Sequence, residues 1–237
     1  NDITSSTQPM NDALSAKIEE WSKPPFDEET RAQLNLLKQN PEQLDDAFYK
    51  DLEFGTGGMR GIMGIGTNRI NAYTLGKSTQ GLCDYLKSAF SKILIKVVIA
   101  YDCRNNSKSL AVKVAEIFSA NNVKVFIFSD LRTTPELSFA VKHLEAHCGI
   151  VLTASHNPPE YNGYKVYWKD GGQIVPPQDN EIIEQINNTR FSDIQFNAKK
   201  EFIEWIDQKV DQAFFDKSIQ LGQFEQNGRE NFKIVFT

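Results

Sequence analysis

Residues 96–154 read KVVIAYDCRNNSKSLAVKVAEIFSANNVKVFIFSDLRTTPELSFAVKHLEAHCGIVLTA, and this stretch decides the fold. KVVIAYD (96–102), VKVFIFSD (123–130) and GIVLTA (149–154) are short runs rich in valine and isoleucine. They are nearly continuous apolar runs rather than alternating ones, as strands covered on both faces are. Between them, SKSLAVKVAEIFSAN (107–121) and TPELSFAVKHLEAH (134–147) have helical spacing. Ser107 stands as the cap of the first, and Pro135 falls in the first turn of the second. Strand, helix, strand, helix, strand in close succession predicts parallel βαβ units.

The pattern extends in both directions. YKVYW (164–168) followed by GGQIV (171–175) predicts a hairpin that returns to the sheet. DNEIIEQINNTR (179–190) reads as a helix, and 198–221 as one long or two shorter helices. NFKIVFT (231–237) reads as a strand at which the sequence stops. Upstream, 74–91 is a helix, and three amphipathic pieces between 11 and 50 are helical, the first starting after Asn11. The expected fold class is α/β: a mixed, mainly parallel sheet with helices on both faces and a helical N-terminal extension. The expected divisions are an extension over 1–50, the sheet domain over 51–197, and over 198–237 a helical connection leading into the first strand of a truncated second domain.

Composition narrows the function classes. Of 237 residues, 40% are hydrophobic and 24% charged, enough apolar material for a core, and the net charge is −5. An acidic balance argues against nucleic acid as a partner. No apolar run approaches membrane-spanning length, and no signal peptide is visible at the start. Cys83, Cys103 and Cys148 fit neither a zinc motif nor a disulfide framework and read as reduced thiols in a reducing, cytoplasmic setting.

In open α/β sheets, ligands bind beyond the carboxyl ends of the strands. Three polar loops are expected there: YDCRNNS with Asp102 and Arg104, DLRTTPE with Arg132, and SHNPPEYNGYK with Ser155, His156, Asn157 and Lys165. Ser155 is a weak nucleophile unless a base activates it or its oxygen is already esterified. Asn157 and Pro158 favour a tight turn that presents it. Gly-x-Ser-x-Gly is absent, so an acyl-transfer elbow is a poor fit. Read alone, the segment is more often a plain loop. The glycines of FGTGGMRG (54–61) let backbone approach an anion, with Thr56, Gly57 and Gly58 exposing polar groups and Arg60 adding a cation. The string fits neither the Walker A nor the dinucleotide pattern, and a linker is the plainer reading. Lys165 is either solvated or a proton-transfer group facing the crevice.

Taken together, TASHNP after an apolar strand, NGYKVY after it, LEFGTGGMRGIMGIGTNRIN with STQGL upstream, and YDCRNNS resemble the α-D-phosphohexomutases, the phosphoglucomutase/phosphomannomutase superfamily. The likeness is to the branch that holds the phosphoglucomutase 2 group, and it covers about residues 40–180 in motif detail. It implies the first-domain fold of those enzymes. It implies that Ser155 carries a phosphoryl group, gives it to a sugar monophosphate, and recovers the other phosphate of the bisphosphate intermediate, moving phosphate between C1 and C6 of glucose or mannose. Arg60 would be a cationic clamp, His156 and Lys165 proton-transfer or charge partners. Thr56, Gly57, Gly58, Arg60, Asn157 and Arg104 would bind phosphate. Mg²⁺ would sit on a phosphate oxygen of Ser155. The family's Asp-Gly-Asp-x-Asp-Arg metal loop is absent from the sequence, so the remaining ligands and the sugar-selecting loops are expected in further domains of the same polypeptide, and this chain alone is expected to be inactive. Phosphopentomutase and glucose-1,6-bisphosphate synthase activity share the same first domain and stay open. A non-catalytic phosphate-binding module is the reading from another class.

Overall fold

The computed structural model describes residues 8–222, 231 and 233–235. Its centre is β2 (Lys96–Tyr101), parallel to β3 (Lys124–Phe128) on one side and to β4 (Cys148–Leu152) on the other. The sheet continues in the order β1-β5-β4-β2-β3-β6. β6 (Ile203–Ile206) is parallel to β3, while β5 (Tyr161–Trp168) and β1 (Gly58–Ile62) add antiparallel edges beyond β4. The mixed, mainly parallel sheet expected from the sequence is the one found.

Alternation along β2 explains its unbroken apolar run. Val97, Ile99 and Tyr101 pack with α4 (Ala72–Ala89), α5 (Ser107–Ala120) and α7 (Gln178–Asn188) through Leu82, Leu86, Val114, Phe118 and Ile182. Val98 and Ala100 pack on the opposite face with Leu137 and Val141 of α6 (Thr134–His143) and Val210 of α8 (Gln208–Leu221). Successive side chains of a strand point to opposite faces, so a strand with helices on both sides is apolar at every position.

Helices α1 (Gln8–Trp21), α2 (Glu28–Leu37) and α3 (Pro41–Phe48) gather round Trp21, which is fully buried. Its ring stacks on Phe26 at 4.3 Å and meets Phe48, Tyr73 and Phe191 edge-on. Tyr73 belongs to α4, and its hydroxyl accepts the Asp27 N–H at 2.7 Å. The N-terminal helices are therefore anchored to the sheet domain by an aromatic cluster. Burial pushes the Cys83 and Cys148 thiols up, and both are free, as is the exposed Cys103.

Several expectations need correction. α1 begins at Gln8, ahead of Asn11. Ser107 does not cap α5: Asn106 holds that position at φ 61°, and the Ser107 hydroxyl donates to Asp102 at 2.9 Å. The 198–221 stretch is not all helix. It contains β6, so the sheet continues past residue 197, and Ile203 and Ile206 lie against the two opposed cores. GGQIV makes a single bridge, Gln173 to Tyr167, instead of a strand. Half of FGTGGMRG is strand β1 rather than linker. Within 231–237, Lys233, Ile234 and Val235 form no strand, and Phe232, Phe236 and Thr237 lie outside the described residues.

One ion cluster fastens α8. Arg132 donates from Nε and Nη2 to both oxygens of Asp211 at 2.7 and 2.8 Å. Glu136 is 5% exposed, and its Oε1 has no hydrogen-bond partner, with Arg132 Nε 3.9 Å away. Burial first, and then the neighbouring Asp211 carboxylate, push Glu136 up to about 7. The hydrogen bond from Arg132 holds Asp211 below the usual carboxylate range. A raised folded-state value means that the folded protein keeps the Glu136 proton more tightly than the unfolded chain does. That stabilisation is complete below the unfolded carboxylate range and is lost as pH rises through about 7. Glu136→Gln is therefore expected to become the more stable protein, relative to wild type, between pH 5 and 8, by on the order of 1–3 kcal/mol. Urea unfolding of both at several pH values checks this, and identical pH slopes would refute it.

Candidate active site

β4 ends at Leu152, and the chain turns immediately at the carboxyl edge of the sheet. Ser155 lies in the left-handed region at φ 56°, a conformation that costs a non-glycine residue about 1–2 kcal/mol. Local bonds hold the turn: Ser155 N–H donates to Thr153 Oγ1 at 3.0 Å, and Asn157 N–H to the Ala154 carbonyl at 3.1 Å. The Ser155 side chain is exposed, with Oγ 3.3 Å from His156 Nδ1. Strained backbone of this kind persists only where the surrounding structure holds it.

The β2–α5 loop braces this turn from below. Asp102 Oδ1 accepts from Arg104 N–H at 3.0 Å and from Ser107 Oγ at 2.9 Å. Ser107 Oγ in turn accepts from Asn162 Nδ2 of β5 at 3.0 Å. The Arg104 guanidinium donates to the carbonyls of Ser155, Asn157, Pro158 and Tyr161. The Asp-x-Arg-x-x-Ser string thus ties the ends of β2 and β4 to the start of β5.

The antiparallel edge brings in the other cations. Register pairs Lys165 with Gly58 on one side and Val151 on the other. Arg60 of β1 reaches across to donate from Nη1 to Asn157 Oδ1 at 2.7 Å. A concavity of about 570 Å³ opens here, lined by Thr56, Gly57, Gly58, Arg60, Thr153 and Lys165 among others. Its floor is a tight glycine turn, in which Gly55 and Gly58 exchange backbone hydrogen bonds at 2.8 and 3.0 Å. Ser155 and His156 stand on the loop next to it and do not line it; the Arg60–Asn157 bond joins the two.

Residues 51–193 match the family model described as phosphoglucomutase/phosphomannomutase, alpha/beta/alpha domain I. The chain belongs to the phosphoglucomutase/phosphomannomutase family. It is 40% identical over 173 residues to a phosphopentomutase of Mus musculus, covering 70% of this chain and 28% of that one. It is 35% identical over 199 residues to a phosphoglucomutase of Staphylococcus haemolyticus, covering 81% and 35%. A probable phosphoribomutase of Schizosaccharomyces pombe is 38% identical over 176 residues, covering 73% and 30%. The crystal structure of a putative phosphomannomutase from Thermus thermophilus superposes with a TM-score of 0.62 at 27% identity, over 73% of this chain and 37% of that one. The chain spans about a quarter to a third of the length of these curated relatives. Their names agree on a phosphomutase and differ on the sugar.

Within this phosphoglucomutase/phosphomannomutase domain, the nominated residues divide. Gly57, Gly58, Arg60 and Lys165 come together at the concavity, with Asn157 bonded to Arg60. Thr56 lines it too, but its hydroxyl donates to Asp179 Oδ2 at 2.8 Å, which fixes the glycine turn to the start of α7. Arg104 sits under the loop rather than open to a ligand. Thr153, Gln173 and Asp179 were not singled out from the sequence. Thr153 lies inside TASHNP and is legible there as a turn former, whereas Gln173 and Asp179 carry no local signal. Among the described residues, no group of three or more His, Cys, Asp or Glu is placed to hold a metal. The Ser155 oxygen alone does not make a Mg²⁺ site. Among the described residues, no helix is long and apolar enough to cross a membrane.

Proposed function

We propose that Ser155 is the phosphoryl carrier of a sugar-phosphate mutase. The observation that carries this reading is the Ser155 turn itself: an exposed hydroxyl in a strained, braced conformation at the carboxyl edge of β4, beside a concavity walled by Arg60, Lys165 and glycine backbone. In the reaction, an oxygen of a sugar monophosphate attacks the phosphorus on Ser155, the bond from phosphorus to Oγ breaks, and the sugar hydroxyl gives up its proton. The bisphosphate then turns round, Oγ attacks its other phosphorus, and the isomeric monophosphate leaves. Arg60 offsets charge on the transferring group, as phosphoryl transfer requires. His156 and Lys165 are the groups placed to take and return the proton.

The preferred substrate is a hexose 1- or 6-phosphate, glucose or mannose. A pentose phosphate is the second reading, supported by the names of the mouse and fission-yeast relatives, as the hexose is by that of the staphylococcal one. Among the described residues, Mg²⁺ would be held by the phosphoryl group of phosphorylated Ser155 alone. Free cysteines suit a cytoplasmic setting. The test is peptide mass spectrometry on the full-length protein after incubation with glucose 1,6-bisphosphate. Phosphate on Ser155 is expected. A protein that interconverts sugar phosphates without ever carrying phosphate there would overturn the proposal. Parallel assays with glucose, mannose and ribose phosphates decide the sugar.

A further inference from the structure

Two arginines flank the Ser155 turn, and their hydrogen bonds differ in kind. Arg60 is exposed and donates only to the Asn157 side chain among the described residues, leaving most of its guanidinium for an incoming anion. The Arg104 side chain is 11% exposed. Its Nη1 donates to Pro158 O at 3.0 Å and Tyr161 O at 3.2 Å; its Nη2 donates to Ser155 O at 2.7 Å and Asn157 O at 2.6 Å. A guanidinium has two N–H groups on each terminal nitrogen and one on Nε. The four terminal ones are all engaged, and Nε lies 3.7 Å from Asp102 Oδ2 without a hydrogen bond. A phosphate could reach Arg104 only by displacing the carbonyls that shape the loop.

We propose that Arg104 is the positioning residue for transfer at Ser155, acting on the loop's main chain and not on phosphate. The proposal rests on the reading of Ser155 as phosphoryl carrier. Ser155 holds a left-handed conformation that it would leave without support, and its own carbonyl is one of the four that Arg104 takes. Carbonyls bonded to the guanidinium are also kept from facing the negative charge of the phosphoryl group. The planar fork matters: a lysine has one nitrogen with three donors and cannot hold four carbonyls. Arg104 is itself fixed through Asp102, Ser107 and Asn162, which carries the constraint back to β5. In-line transfer is sensitive to displacements of about 1 Å, at roughly a hundredfold in rate.

The experiment uses the full-length protein with Arg104→Lys and Arg104→Met. It measures the single-turnover rate of phosphate transfer from glucose 1,6-bisphosphate to Ser155, steady-state kcat and KM, and hydrogen exchange over 153–161. Arg104→Lys, which keeps the charge and a folded chain, is expected to slow transfer about 10- to 100-fold with KM changed less than about twofold. Exchange should quicken over 153–161 and not across β2 or β4, more so in Arg104→Met. A raised KM with unchanged kcat would make Arg104 a phosphate ligand and overturn the proposal. Wild-type transfer rates or unchanged exchange would overturn it too, with the mutase reading intact. If wild-type Ser155 takes up no phosphate, the mutase reading fails, and this proposal with it.

Discussion

Ser155→Ala in the full-length protein is expected to lose at least about a thousandfold in sugar-phosphate interconversion, equivalent to about 4 kcal/mol of transition-state stabilisation. The loss should fall on chemistry, because removal of the oxygen removes the bond that carries the phosphoryl group. It should not fall on folding. Among the described residues the hydroxyl's one hydrogen-bond approach is to the exposed His156 ring at 3.3 Å, so stability is expected to change by less than about 0.5 kcal/mol. Ser155→Gly separates the two quantities further. Glycine adopts φ 56° without the steric cost that serine bears, about 1–2 kcal/mol, and forfeits about 0.5–1 kcal/mol through its more flexible unfolded chain. The glycine variant should therefore be as stable as wild type or up to about 1.5 kcal/mol more so, and equally inactive. Activity assays and urea unfolding on the three proteins check both halves. An active Ser155→Ala protein would remove the carrier role outright.

The parallel core was legible because its physics is local. A strand buried on both faces must be apolar throughout, and 96–154 shows three such runs separated by helical spacing. The antiparallel edge was not so legible. β1 lies in a glycine-rich string whose residues have low strand propensity, and it is a strand only because β5 pairs with it in register from Gly58 to Ile62. β6 is four residues within a polar stretch of helical spacing, and pairing with β3 decides it. The same division holds at the site. Ser155, His156, Arg60 and Lys165 could be named from residue type and loop position. That Arg60 meets Asn157 depends on β1 lying beside β5, which no local pattern encodes. Arg104 shows the converse: its type suggested an anion ligand, yet the nearest acceptors in the fold are main-chain carbonyls.

Among the described glycines, the antiparallel edge also holds the one at which an added Cβ would meet its nearest neighbour at the shortest distance. Gly58 lies at φ 134°, outside the usual range of residues with side chains, and a Cβ added there would stand 1.8 Å from the Tyr164 carbonyl oxygen and 3.0 Å from Lys165 Cα. Both obstacles are backbone of β5, so no rotamer change can relieve the clash. Gly58→Ala must push β1 away from β5, at the residue whose partner in register is Lys165. Overpacking and the unfavourable φ together are expected to cost about 3–5 kcal/mol. Gly55, three positions earlier in the same turn, is the control. Its added Cβ would meet nothing closer than the Gly58 carbonyl oxygen at 3.9 Å, and Gly55→Ala should stay within about 0.5 kcal/mol of wild type. Chemical unfolding of the two variants compares them directly, and a Gly58→Ala protein within 1 kcal/mol of Gly55→Ala would show that the edge yields easily. The functional consequence follows from what the edge carries. Arg60 reaches the concavity from β1, the outermost strand, whereas Lys165 stands on β5, which β4 also holds, so whatever separates β1 from β5 moves Arg60 away from the Ser155 turn and leaves Lys165 in place, with the parallel core beneath still folded.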